Sequence, residues 1–137
     1  MNLETTAIAR LARAIGYPED VPAGACSFVF QVDGHAIESV EDAGRLRLTC
    51  RFPQVGEDED LVRLAEYATG RFLKEEAVLA WDPVAETVIL WQEIAATAND
   101  ALLRRFFEVF MTSCDWWTAR TEDGAVFSSV PEMVILP

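Results

Sequence analysis

CSFVFQVDGHAIESVEDAGRLRLTCRF, residues 26–52, alternates apolar and polar side chains through most of its length. A period of two belongs to half-buried strands, in which successive side chains point to opposite faces. Cys26, Phe28, Phe30 and Val32 point one way, and Ser27, Gln31 and Asp33 the other. Asp33-Gly34 is a two-residue hairpin signal, because the favoured turn needs positive φ at both central residues. A short strand around His35–Val40 follows. From Gly44 the alternation is cleanest: Leu46, Leu48, Cys50 and Phe52 interleave with Arg45, Arg47, Thr49 and Arg51, and Pro53, which has no N–H to donate, ends the strand. The stretch therefore predicts a three-stranded antiparallel meander with one apolar face and one face carrying three arginines. Like charges two apart on one face cost energy unless acids lie opposite. The arginines are thus either a solvent-facing row balanced by acids or a surface with a role of its own.

Upstream, Leu3, Ala7, Leu11, Ala14 and Ile15 recur at helical spacing beside Ile8, and Gly16 and Pro18 stop the helix. Downstream, the acidic run Glu57, Asp58, Glu59, Asp60 precedes a periodic stretch, Leu61–Leu73, with Leu61, Leu64, Ala65, Ala68 and Phe72 on one face. Acids in a first helical turn gain roughly 0.3–1 kcal/mol each from the helix dipole. The run is therefore a helix start and not a calcium loop, whose spacing is absent. Two strands follow, Ala77–Asp82 and Thr87–Glu93, joined by Pro83-Val84-Ala85. Ala77, Leu79, Trp81, Thr87, Ile89 and Trp91 are expected on one face, with Val78, Ala80, Val88 and Leu90 on the other. Both faces are apolar and must be covered, the second by another subunit. A helix with a wide apolar stripe runs from Asn99 to about Thr118, and the tail, residues 121–137, either adds a strand or stays mobile. Adjacent Trp116 and Trp117 cannot both face one core.

The chain has 137 residues, of which 51% are hydrophobic, with no repeat or linker-like tract, so one domain over 1–137 is expected to bury its own core. Asp and Glu number 23 against 11 Lys and Arg, a net charge of -12. That field repels phosphate and excludes nucleic acid and anionic membranes as general partners. Three cysteines without CxxC spacing (Cys26, Cys50, Cys114) are expected to be reduced core thiols of a cytoplasmic protein. Glu4, Arg10 and Arg13 interrupt the first apolar stretch, so no signal peptide is expected, and no apolar run reaches membrane-spanning length.

Nothing in the chain is arranged for bond chemistry. His35 is the one histidine and sits beside a turn, where a solvated side chain is the ordinary outcome. No nucleophile elbow, phosphate-cradling glycine loop or paired metal-ligand spacing occurs. Catalytic residues, metals and cofactors are expected to be none, and the protein is not expected to be an enzyme.

The order helix, three-strand meander, helix, hairpin, helix in an acidic chain resembles the class I type III secretion chaperones. The resemblance covers about Leu3 to Trp117. It rests on FVFQVDG, on LRLTCRF, on LVRLAEYATGRFLKEEAVLAWDPVAETVILWQEI and on ALLRRFFEVFMTSCDWW. It implies an α+β sandwich of order α-β-β-β-α-β-β-α, with a mainly antiparallel twisted sheet and helices packed against it, in a non-catalytic homodimer. The implied partner is a secreted effector, whose N-terminal segment is held soluble and secretion-competent by strand addition and apolar pockets. Carried over by position, Leu11, Ile15, Phe28, Phe30, Leu48 and Phe52 would line the effector groove. Leu61, Leu64, Ala65 and Ala68, with Val78, Ala80, Val88 and Leu90, would form the dimer contact. YbjN-like regulatory or scaffold domains share the pattern and are the alternative. On this reading the acidity keeps a carrier of apolar segments from self-associating.

Overall fold

In the computed structural model the described residues are 5–52, 77–85 and 87–122. The helix expected over Leu61–Leu73, its acidic lead Glu57–Asp60 and the tail beyond 122 lie outside them.

Helix α1 spans Ala7–Ala14. It starts at Thr6, whose hydroxyl accepts from the Ala9 amide at 3.4 Å, while Glu41 Oε1 accepts from the Ala7 amide at 2.7 Å. A capping hydroxyl and a carboxylate thus take up amides that have no partner inside the helix. At the other end Gly16 has φ +69°, its amide donates to Arg13 O at 3.1 Å, and the Tyr17 amide donates to Ala12 O at 2.9 Å. This paired bonding closes the helix through a left-handed residue that only glycine adopts at no steric cost, and it delivers Tyr17 to a fixed place.

Strands β1 (Ser27–Val32), β2 (His35–Asp42), β3 (Arg45–Phe52), β4 (Val78–Asp82) and β5 (Thr87–Ala95) form one antiparallel sheet of order β1-β2-β3-β5-β4. Helix α2 runs from Asp100 to Glu122, with the Asn99 Oδ1 accepting from the Leu102 amide at 2.9 Å. The meander is as expected. Val32 pairs with His35 across Asp33 (φ 50°) and Gly34 (φ 83°), the two positive dihedrals that match a hairpin's twist. Ala43 (φ 50°) precedes Gly44 at the β2–β3 turn, so a Cβ-bearing residue occupies a left-handed position there.

The chain forms two compact units, Met1–Thr49 with Gln92–Met111, and Cys50–Trp91 with Thr112–Pro137. In the first, Ile8 and Leu11 of α1, Phe30, Ile37, Leu46 and Leu48 of the meander, and Leu103, Phe106, Phe107 and Phe110 of α2 are buried. Each such side chain contributes about 1.5–3 kcal/mol by leaving water. The Phe30 and Phe107 rings meet edge to face at 5.9 Å. Arg10 ties α1 to the start of α2: its guanidinium donates to Ala98 O at 2.7 Å and to Ala96 O, and lies 3.6 Å from Asp100.

In the second unit Cys50, Phe52, Val88, Leu90, Cys114 and Trp117 are buried. Trp116 stays partly exposed against the edge of Trp117, at 4.8 Å, which resolves the adjacent pair into one core ring and one rim ring. A hydrogen bond with Cys50, and then burial, push the Cys114 thiol far above its ordinary range, so it stays protonated. Cys26 departs from its expectation as a core thiol. It is exposed just before β1, at the edge of the sheet, although the Glu41 amide of β2 still donates to its carbonyl at 2.9 Å.

The β4–β5 hairpin also departs from expectation. Val78 pairs with Trp91, Leu79 with Leu90, Ala80 with Ile89, Trp81 with Val88 and Asp82 with Thr87. Directly opposed residues share a face, so Val88 and Leu90 lie with Leu79 and Trp81, whereas Val78 and Ala80 lie with Ile89 and Trp91. The expected set of Val78, Ala80, Val88 and Leu90 on one face is therefore split. The cause is the connection: residues 83–86 separate the closing pair, one more than Pro83-Val84-Ala85, and a one-residue change exchanges the faces.

The left-handed Ala43 yields a prediction. Replacing it by Asn, which tolerates that conformation, recovers up to about 1 kcal/mol of backbone strain. Thermal unfolding of Ala43→Asn is expected to show a Tm raised by about 3 °C.

Candidate functional site

Two surfaces leave apolar side chains partly exposed. The first is the edge of β1. Cross-strand bonds link even-numbered residues of β1 to β2, as the Glu41 amide to Cys26 O at 2.9 Å and the Val32–His35 closing pair indicate. Ser27, Val29 and Gln31 therefore turn their backbone groups away from β2, toward the open edge. Beside that edge, Tyr17 packs edge to face on Phe28 at 5.8 Å and on Phe30 at 4.9 Å. Phe28, Val32 and Ile15 are half-buried around it, and Val29 and Val40 are each 46% exposed on the other side of the sheet. The Ser39 hydroxyl donates to Phe28 O at 2.6 Å from the middle of β2.

The second surface is the half-buried apolar face of the β4–β5 hairpin, Val78, Ala80 and Ile89 with Trp91. Arg51 borders it. Its guanidinium donates to Asp82 Oδ2 at 2.7 Å and lies 3.4 Å from Thr87 Oγ1. In the other unit Arg47 donates through Nε and Nη2 to Glu93 Oε2 at 2.9 and 2.7 Å, and Arg45 approaches Glu93 at 3.9 Å. The two readings of the arginine row are thereby decided. Each of the three arginines has an acidic partner: Glu93 on the neighbouring β5 for Arg45 and Arg47, and Asp82 on β4, beyond β5, for Arg51.

The residues expected to line an effector groove divide sharply. Leu11, on the buried side of α1, and Phe30, Leu48 and Phe52, on the buried face of β1 and β3, are sealed in cores. Ile15 and Phe28 remain reachable. Tyr17, Val29 and Val40 belong to the same edge and were not singled out by the sequence pattern. Among the residues expected at a dimer contact, Leu61, Leu64, Ala65 and Ala68 lie outside the described residues. Val88 and Leu90 are core, and Val78 and Ala80 are half-buried. Among the described residues no group of three His, Cys, Asp or Glu is placed to hold a metal, and no helix is long and apolar enough to cross a membrane.

Residues 6–118 match the model of the Tir chaperone protein (CesT) family. No curated protein sequence matches the chain. Solved structures with a similar fold include a chain of the HopA1–SchA chaperone–effector complex, at 16% identity and TM-score 0.62, covering 81% of this chain and 89% of that one. A chain of the ExoT–SpcS complex from Pseudomonas aeruginosa matches at 17% identity and TM-score 0.62, over 80% of this chain and 91% of that one. A chain of the ExsC–ExsE complex matches at 17% identity and TM-score 0.61, over 85% and 89%.

The Asp82 site carries a pH signature. The Arg51 hydrogen bond, and then the Ala85 and Val84 amides, hold its carboxyl below the ordinary range. A depressed acid stabilises the fold above its unfolded value of about 3.9 and loses that contribution as pH falls through the folded value. Asp82→Asn is therefore expected to lower Tm at pH 7, with the deficit relative to the native chain shrinking as the pH drops below about 4. Melting curves across that range check it; a deficit independent of pH would show that the carboxylate's charge is not the cause.

Proposed function

The chain belongs to the Tir chaperone protein (CesT) family, and on that premise we propose that it works in the cytoplasm as a homodimer, holding an extended segment near the N-terminus of one secreted effector. It is a type III secretion effector chaperone. The observation that carries this reading is the family match across residues 6–118, which spans every described strand and most of α2. The similar structures all come from two-protein complexes, one of them described as a chaperone–effector complex, and they support the same class of partner. None of these matches favours a YbjN-like regulatory role.

The physical task is to keep a segment unfolded, soluble and bound without enclosing it. Sheet edges do this by main-chain hydrogen bonds, and shallow apolar patches add side-chain selectivity. The edge of β1, flanked by Phe28, Ile15 and Val29, is such a surface. A net charge of -12 discourages the carriers from pairing with each other through it. For the dimer contact the hairpin face Val78, Ala80 and Ile89 is the better candidate, since Val88 and Leu90 already serve the core.

Affinity capture of the native chain from its host, with identification of the bound protein, is expected to return a secreted protein whose N-terminal truncation abolishes capture. An effector that still binds after that truncation, or none at all, counts against the reading. Light scattering after size exclusion is expected to give a dimer for the native chain and a folded monomer for Val78→Glu. Leu90→Glu, which would bury a charge at a fully buried position, is expected to unfold instead. A dimeric Val78→Glu would move the contact elsewhere.

A further inference from the structure

The β1 edge is closed at one end by a side chain. The Tyr17 hydroxyl accepts from the Gln31 amide at 3.0 Å and lies 3.0 Å from Glu19 Oε2, to which it donates its own proton. Gln31 is one of three β1 residues whose backbone turns outward, with Ser27 and Val29. Among the described residues, the Gln31 amide is the outward one that a protein group takes up. Tyr17 is held for this by three independent constraints: the left-handed Gly16, the bond from its own amide to Ala12 O, and its ring contacts with Phe28 and Phe30.

An added strand can pair only where N–H and C=O are both available. We propose that Tyr17 sets the register of the bound effector segment: its hydroxyl occupies the Gln31 amide, so that an incoming strand pairs at Ser27 and Val29 and is stopped before the hairpin turn. The inference rests on the chaperone reading and adds which backbone groups are used and which residue limits them. The chemistry of the segment follows. Opposite Val29 an incoming residue lies beside an exposed apolar side chain, and its chain neighbours lie on the other face beside Phe28 and the Tyr17 ring. The segment that fits is short and extended, with apolar side chains on both faces for about three residues and no proline at the pairing position. Tyr17 is here a positioning residue for a bound strand.

The test is amide exchange by NMR on the full chain and on Tyr17→Phe, which keeps the ring and removes the hydroxyl. In the free protein the variant is expected to speed exchange at Gln31 by about fivefold, the loss of one ordinary hydrogen bond, with Phe30 unchanged. The probe is a capped peptide with three successive valines flanked by lysines, whose charge complements the acidic chain. With the native chain it is expected to slow exchange at Ser27 and Val29 and leave Gln31 as it was; with Tyr17→Phe the slowing should extend to Gln31. The same footprint on both chains, or no slowing at Val29 with millimolar peptide, overturns the proposal. So does a larger oligomer of Tyr17→Phe without peptide, which would mean that a second copy pairs there. If captured effector binds while these amides do not respond, the chaperone reading stands and the register role falls. If no effector is captured, the reading beneath it falls first.

Discussion

Two pairs of left-handed residues govern the meander. Asp33 and Gly34, then Ala43 and Gly44, each turn the chain in two residues and lock Val32 against His35 at the first corner. A slip of one residue at either turn would move every following side chain to the opposite face. With the turns as they are, Phe30, Ile37, Leu46 and Leu48 all point into the core, and Arg45 and Arg47 all point out. The same parity decides which backbone groups of β1 bond to β2 and which face the open edge. The core and the outward-facing backbone groups of β1 are therefore consequences of one constraint.

The polar face shows how an acidic chain can carry a row of arginines without becoming a binding site for anions. Glu93 on β5 meets Arg45 and Arg47 from the neighbouring β3, whereas Asp82 on β4 meets Arg51 across the intervening β5. Half-exposed pairs of this kind add little to stability, and their effect is to hold the strands in step and to neutralise the arginines of β3. The surplus acid remains as a long-range field. Repulsion between copies offsets the tendency of strand edges such as that of β1 to pair with each other.

Much of the fold is legible in the sequence because alternation and turn chemistry are local. Phe28 to Val32, the Asp33-Gly34 turn and the leucine-arginine alternation of β3 define their strands without help from elsewhere, as do Gly16 and the apolar spacing of α1 and α2. The β4–β5 hairpin is where this fails. Its two faces are both apolar, so the side-chain pattern does not distinguish one register from its neighbour, and the outcome falls to the connection. There the Asp82 Oδ1 accepts from the Val84 and Ala85 amides at 3.0 and 3.3 Å and shapes the turn after β4. Cys26 fails for a different reason: its parity is right, but it lies just before the start of β1 and is exposed.

By itself the sequence determined the order of the described elements, the apolar face of the meander and the resemblance to a chaperone family. All of these follow from residue type and spacing along the chain. Only the tertiary structure decided which apolar residues are spare. Leu11, Phe30, Leu48 and Phe52 look as available as Ile15 and Phe28 in a pattern of types, because hydrophobicity marks a side chain as needing cover and not what will cover it. Packing supplies the cover for the first four. The same holds for Tyr17: its type says aromatic, while its hydroxyl on the Gln31 amide exists only because a helix end and a strand edge meet in space.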